Sequence, residues 1–328
     1  MAATRRPTRN DVARQAGVSG WTVSQVLNGR TNVSIAETTR ARVLAAAEKI
    51  GYRPNHTARS LATGSTHIVS VWAGCLSPFY ATVVTHIRAQ ARPRGFRILI
   101  SDIEEVSSIT SPGTQDGIIA IEYPERADVY LATHPESRAP LVSVGAHFLA
   151  HADHVGVDLY AGAREAVEHL LALGVRRLGM VRPALPVSQI EPRASAYDAA
   201  MERAARAPEH IVTGAARAEA RGAIREYVAR YGCPDGLFCH NDDLAIGVYR
   251  GLRDLGIRVP EQVALVGCDG IEAAEYLDCP LTTIEQPVER MCALAWQFLE
   301  RRMADPAIDA QQVLLSPRLV VRDSSRRS

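Results

Sequence analysis

Between His67 and Gly267 the chain alternates short apolar runs with longer helical stretches, and this alternation narrows the possible folds more than any other feature. Ile68 to Trp72, Phe96 to Ile100, Gly117 to Ile121 and Leu141 to Val144 read as strands, with a helix over Tyr80 to Ala91. A second set starts with a helix over Ala161 to Leu173 and a strand over Arg177 to Val181. Helices over Arg193 to Ala205, Ala218 to Tyr231 and Asp243 to Leu255 then alternate with strands at Ile211 to Thr213, Gly236 to Cys239 and Val263 to Gly267. Apolar strands separated by helices pair in parallel, because the crossover is long and covers a face. The expectation is an α/β body of two doubly wound parallel-sheet lobes with a cleft between them. Ligands of such sheets sit beyond the carboxyl ends of the strands, here at Ala73 to Phe79, Arg182 to Arg193, His240 to Asp242 and Cys268 to Gly270.

The first sixty residues follow a different rule. Thr8 is placed to cap a short helix whose Val12, Ala13 and Ala16 share a face, and Gly17 supplies the left-handed residue that ends it. Ser19 can cap a second helix in which Val23, Val26 and Leu27 recur at helical spacing, while Gly20, Trp21, Ser24, Gln25 and Asn28 fall on the other face. Helix, tight turn, helix is compatible with an ordinary hairpin and with a helix-turn-helix, whose second helix reads base edges in the major groove. A third helix is expected from Ser34, with Glu37 completing a capping box and Val43, Leu44, Ala47 and Ile50 facing inward, up to Gly51.

Charge favours the nucleic-acid reading. The net charge of +1 conceals ten Arg or Lys against three acids in residues 1–60, a balance of +7 that leaves −6 for the remainder. A small basic domain on a mildly acidic body suits phosphate contact, since each neutralised phosphate releases counterions. The six cysteines, Cys75, Cys233, Cys239, Cys268, Cys279 and Cys292, are scattered without a C-x-x-C pair or zinc spacing, which points to reduced thiols and to no metal site. No apolar signal segment follows Arg5 and Arg6, and no run is long enough to span a membrane, so a cytoplasmic protein without a membrane partner is expected. Downstream of Pro54, residues 55–62 could form one or two helical turns but have too few apolar side chains to be stable unaided. Leu61 reads either as a packing residue or as a wedge that enters a minor groove when this segment folds on DNA.

Taken together, these motifs resemble the lac repressor and galactose repressor (LacI/GalR) family of bacterial transcription regulators. The resemblance rests on Asp11-Val12-Ala13, Ala16-Gly17-Val18-Ser19, Thr22-Val23-Ser24, Val26-Leu27-Asn28-Gly29, Gly51-Tyr52-Arg53-Pro54-Asn55 and Ala58-Arg59-Ser60-Leu61. It continues through Asp116-Gly117-Ile118-Ile119, Asn241-Asp242, Ala245-Ile246-Gly247, Val259-Pro260, Val266-Gly267-Cys268-Asp269 and Pro280 to Ile284 with Gln286-Pro287. It implies an all-α helix-turn-helix headpiece over residues 1–53, a hinge over 54–64, and a periplasmic-binding-protein-like body over 65–328. Lobe 1 would take about 65–158 and 288–317, and lobe 2 about 159–287 and 318–323. The implied partners are a double-stranded DNA operator, a small sugar-like effector in the cleft and a second copy of the chain. The implied function is effector-controlled repression without a cofactor. DNA contacts are implied for Thr8, Ser19, Gly20, Trp21, Thr22, Ser24, Gln25, Asn28, Asn55, Ala58 and Leu61, and effector contacts for Ser77, Phe79, Arg193, Asn241, Asp269 and Gln286. Loop capping and strand-end turns are the bland alternatives for the polar members of the second group.

Several positions depart from the family pattern. Gln25 stands where many relatives carry arginine, and Gln suits adenine where Arg suits guanine. The chain is about two residues longer between Ser34 and Thr39, and shorter between Asp102 and Asp116, where a covering helix could be missing. Ser77 replaces a frequent Asn, and Gly145 stands where many relatives have an Asp that contacts sugars. A secreted solute-binding protein would share the body but not the basic headpiece. Enzymatic use of His240, Asp242, Asp243 and Asp269 is disfavoured by the lack of a Gly-rich phosphate loop, HExxH or GxSxG motif.

Overall fold

The computed structural model describes residues 7–27, 34–53, 60, 64–75, 77–102, 114–122, 124–133, 139–149, 152–184 and 191–326. Contacts divide the chain into two units, residues 1–66 and 67–328. Asn28, Asn55, Ala58 and Leu61 lie outside the described residues, as do most of the hinge segment and most of 102–116.

In the first unit, α1 (Arg9–Ala16), α2 (Gly20–Leu27) and α3 (Glu37–Lys49) close on one apolar cluster of Val12, Ala16, Val23, Val26, Val43, Ala46 and Ala47. Two expectations for α3 are corrected. Its N-cap is Ala36 with no side-chain cap bond, so Ser34 and Glu37 form no capping box. Leu44 is 49% exposed, because the buried stripe runs through Val43, Ala46 and Ala47 at three- and four-residue spacing and Leu44 sits one residue off it, on the rim.

The second unit holds two six-stranded sheets. The first is built from β1 (Ile68–Ala73), β2 (Arg97–Asp102), β3 (Gly117–Ile121), β4 (Leu141–Gly145), β5 (Asp153–Val157) and β11 (Gln312–Leu315), in the order β11-β5-β4-β3-β1-β2 with parallel pairing. The second contains β6 (Leu178–Pro183), β7 (Glu209–Thr213), β8 (Gly236–Cys239), β9 (Ala264–Asp269), β10 (Thr282–Glu285) and β12 (Arg318–Val320). Its order is β12-β10-β9-β8-β6-β7, and only β12 runs antiparallel. Helix α4 (Pro78–Ala91) packs with α10 (Val288–Ala304) on the first sheet, and α6 (Leu159–Ala172) packs on the second. The chain passes between the sheets at three places: after β5, after β10 and after β11.

The expected strands and helices are present with ends shifted by one to three residues. The elements that were not expected include α5 (Pro124–Thr133), β5, α10, β11 and β12. The strand β5 begins with Asp153 and His154, which sequence alone marks as polar, yet both are buried. Asp153 is buried because Arg302 of α10 lays its guanidinium on it at 2.8 and 3.0 Å, and because Gln311 N donates to it at 2.8 Å. The remaining helices are α7 (Pro192–Arg203), α8 (Arg217–Tyr231) and α9 (Asp242–Asp254). All six cysteines are free. No helix among the described residues is long and apolar enough to cross a membrane.

Candidate functional site

The first candidate is the α1-turn-α2 pair. Asp11 accepts from Thr8 N at 2.9 Å and Thr8 Oγ1 at 2.7 Å, fixing the start of α1. Gly17 ends that helix at φ +64°, a conformation open to glycine at little cost. Ser19 Oγ accepts from Thr22 N at 3.1 Å and lies 2.9 Å from Thr22 Oγ1, so the second helix is capped as expected. Thr8 and Ser19 therefore hold the motif's geometry through these bonds. Buried Val23 and Val26 lock α2 onto the core and turn Trp21 outward, 58% exposed. An apolar ring left in water at that level is unfavourable unless a partner covers it. Gln25 is half buried, and its Oε1 is covered without a hydrogen-bond partner. Gly20 packs near Arg9, whose Nε would lie 3.4 Å from a side chain there.

The second candidate lies where the strand ends of the two sheets face each other. In both sheets the strand order reverses beside the first strand, between β1 and β3 and between β6 and β8, which is where open α/β sheets form a crevice. Arg193, in the first turn of α7, is 9% exposed. Its Nε donates to Glu191 Oε1 at 2.6 Å and its Nη1 to the His240 carbonyl at 3.2 Å. Glu191 also caps α7 by accepting from Ala194 N at 2.8 Å. Burial pushes the Glu191 carboxyl up, but Arg193 and His240 outweigh it and hold it at about 2. His240 is driven the other way, by burial and then by the Arg193 charge, to about 3, and its Nδ1 is buried without a hydrogen-bond partner, 3.7 Å from Glu191 Oε2.

Asp269, the last residue of β9, adopts φ +119°, uncommon for a side chain other than glycine. Its Oδ1 accepts from Gln286 Nε2 at 2.8 Å, while Gln286 Oε1 is buried and unpaired. Burial raises the Asp269 carboxyl to about 8 despite the nearby Arg193 charge. Phe79, Asp269 and Gln286 line a common groove of about 680 Å³, and Arg193, Asn241 and Ser77 are not among its walls. Asn241 Oδ1 accepts from Leu244 N at 2.9 Å, so its carbonyl caps α9 as the bland alternative held. Ser77 occupies the N-cap position of α4, and its hydroxyl makes no cap bond.

Sequence reasoning missed three charged or titratable contributors, Glu122 and His147 at the ends of β3 and β4 and Glu191 beside Arg193, and weighed His240 only for enzymatic use. Glu122 Oε2 lies 2.8 Å from His147 Nδ1. Burial raises the Glu122 carboxyl, but the His147 hydrogen bond and charge together leave it below its ordinary value. The signal that could have found Glu122 was the glycine at 145, which leaves space that a neighbour fills. The acids considered for chemistry are otherwise engaged. Asp242 is fully buried with its oxygens on Thr283, Gly270 and Ile271, and Asp243 pairs with Arg217 at 2.6 Å.

Comparisons with known proteins agree with this division. A family profile described as "Bacterial regulatory proteins, lacI family" matches residues 8–55, and one described as "Periplasmic binding protein-like domain" matches residues 167–325. The chain is 30% identical over 334 residues to the ribose operon repressor of Escherichia coli K12, covering 97% of this chain and 99% of that protein. A solved CelR–cellobiose complex superposes with TM-score 0.68 at 27% identity, over 98% of this chain and 100% of that one. The lac repressor dimer bound to operator superposes with TM-score 0.79 at 23% identity, over 98% and 99%, a likeness of fold.

Proposed function

The chain belongs to the lacI family of bacterial regulatory proteins, and from that premise we propose that it is a transcriptional repressor acting as a homodimer on a double-stranded DNA operator. In this reading residues 1–53 are the DNA-reading headpiece, 54–64 the hinge, and 65–328 a body that takes a sugar-like effector between its lobes. The observation that carries the DNA half is the outer face of α2. Trp21 stands exposed on a helix that the core fixes rigidly from behind. A major groove would cover the indole, with the Trp21 ring suited to a thymine methyl group and the Gln25 side chain to adenine. In the same reading Thr8, Ser19, Gly20, Thr22, Ser24 and Asn28 are the remaining headpiece contacts, and Asn55, Ala58 and Leu61 those of the hinge.

The effector half rests on Arg193, Asp269 and Gln286 at the cleft, with Phe79, Ser77 and Asn241 around them. Arg193 is charged, buried and only partly committed, and an effector hydroxyl can accept from its remaining N–H groups. Binding there changes operator affinity to the extent that the effector prefers one arrangement of the lobes. No catalytic step is required of any residue. The role places the protein in the cytoplasm, on the nucleoid.

Genomic footprinting with the purified protein tests both halves. Protected sites should be pairs of half-sites related by a two-fold axis, and D-ribose, D-galactose or D-cellobiose should change their occupancy. Binding without sequence preference at physiological salt would overturn the DNA reading. Occupancy indifferent to every sugar would overturn the effector reading.

A further inference from the structure

The wall of the cleft contributed by the first sheet carries no side chain at Gly145, the end of β4. That space is not empty. A side chain at 145 would collide with the carboxylate of Glu122, which reaches across from the end of β3, the neighbouring strand. Two unusual backbone conformations make this possible: Gly145 sits at φ +134° and Glu122 at φ +59°. A non-glycine residue in the left-handed region is strained, and such positions cluster where a side chain must be aimed. The strand end is otherwise regular, with Glu122 N donating to the Val144 carbonyl at 2.8 Å. Glu122 Oε1 accepts from Ala146 N at 3.0 Å, and Oε2 takes His147 Nδ1 at 2.8 Å. The imidazole is thus oriented by a carboxylate, and its other nitrogen, Nε2, is buried with no hydrogen-bond partner.

We propose that His147, aimed by Glu122, is a ligand-contacting residue on the first-sheet side of the cleft, and that its Nε2–H donates to an oxygen acceptor of the effector. The proposal rests on the effector reading above and adds to it the residue and the polarity of the contact. Glu122 is the positioning residue: it commits Nδ1, so the exchangeable contact is left to Nε2. With Arg193 donating from the second sheet, the effector is held by cationic donors from both walls, each neutralised by its own carboxylate, Glu122 on one side and Glu191 on the other.

This arrangement predicts a polarity reversal with pH. The Glu122 hydrogen bond raises the His147 pKa above 6.5, burial works against it, and Arg193 lowers it while Glu191 raises it. The other imidazoles nearby, His154 on β5 and His240 after β8, are held by burial at about 4 and about 3, so His147 is the imidazole of the three that holds its proton more tightly than a free one. Once that proton leaves, Nδ1–H stays with Glu122 and Nε2 turns from donor to acceptor, so an effector oxygen without a hydrogen loses its partner.

The test uses the full chain and thermal-shift and calorimetric titration with D-ribose, D-galactose, D-cellobiose and D-glucuronate as probes. The neutral sugars and the sugar acid distinguish a hydroxyl or ring oxygen from a carboxylate as the acceptor. For whichever probe binds wild type, affinity should fall as pH rises through the His147 transition. His147→Ala should weaken it about tenfold near pH 6, the worth of one charge-assisted hydrogen bond. His147→Gln, which keeps a neutral donor, should restore part of that and show a flat pH profile, a readout that loss of packing alone does not give. Glu122→Gln should move the fall to lower pH. If Arg193→Ala abolishes binding while both His147 variants bind as wild type does, the effector reading stands and this proposal is overturned. If no probe binds wild type, the sugar reading falls and takes this proposal with it.

Discussion

Replacing Asp242 by Asn probes how the floor of the cleft is held. The Asp242 carboxylate is fully buried at the start of α9. Its Oδ1 accepts from Thr283 Oγ1 at 2.7 Å, and its Oδ2 from Gly270 N at 2.8 Å and Ile271 N at 2.9 Å. It thereby fixes the turn that follows the strained Asp269. Burial pushes the carboxyl up to about 7, against the pull of these three donors, from an ordinary value of 3.8. The folded chain therefore holds a proton that the unfolded chain has released between those two values. Stability attributable to this group falls as pH rises through that window and is level above it, by about 4 kcal/mol in all and by about 3 kcal/mol between pH 5 and pH 8. Asparagine has no such proton. Its amide oxygen can accept from the two backbone N–H groups while its NH₂ faces the Thr283 hydroxyl, which turns to accept. D242N should accordingly gain on wild type by about 3 kcal/mol on going from pH 5 to pH 8. Urea unfolding of both proteins at the two pH values measures the gap. A gap that is the same at both would refute the claim that this carboxylate carries the buried-charge penalty.

Four further outcomes are expected. Val23→Ala should cost the headpiece about 2 kcal/mol and lower operator affinity, whereas Leu44→Ala on the exposed rim should leave both within experimental error, read by headpiece melting and gel shift. Arg193→Ala should lose the response of operator binding to sugars, with sugar-free operator affinity as the check on folding; an unchanged response removes Arg193 from the site. Leu61→Ala should weaken specific DNA binding far more than non-specific binding, and equal losses in a competition assay would sink the wedge role. Sedimentation should show a dimer, the form proposed to bind the paired half-sites; a stable tetramer would contradict this.

The headpiece was legible in one dimension because its determinants are local. Thr8, Gly17 and Ser19 act on residues within three or four positions, and Val23 and Val26 announce their face by spacing. In α3 the cap is Ala36, two residues after the expected Ser34, and Leu44 lies off the inward stripe of Val43, Ala46 and Ala47. The parallel sheets were legible because their strands are apolar on both faces. The strand β5 was not, since its buried Asp153 depends on Arg302, which is 149 positions away. The cleft followed the same division. Arg193, Asp269 and Gln286 could be named from their motifs, but Glu122 and His147 come together only because β3 and β4 are neighbours in the sheet. Asn241 was named with the cleft, yet its carbonyl oxygen is committed to the helix beside it.

The three passages between the sheets carry a further consequence. Lobes joined by a single strand can swing in any direction, but lobes joined by three adjacent threads have close to one soft coordinate of relative motion. Whatever lodges at the strand ends therefore biases the same movement, irrespective of which side chains grip it. Recognition and transmission are then separable inheritances. The side chains at the strand ends can change, and alter which molecule is sensed, without rewriting how the sensing is conveyed.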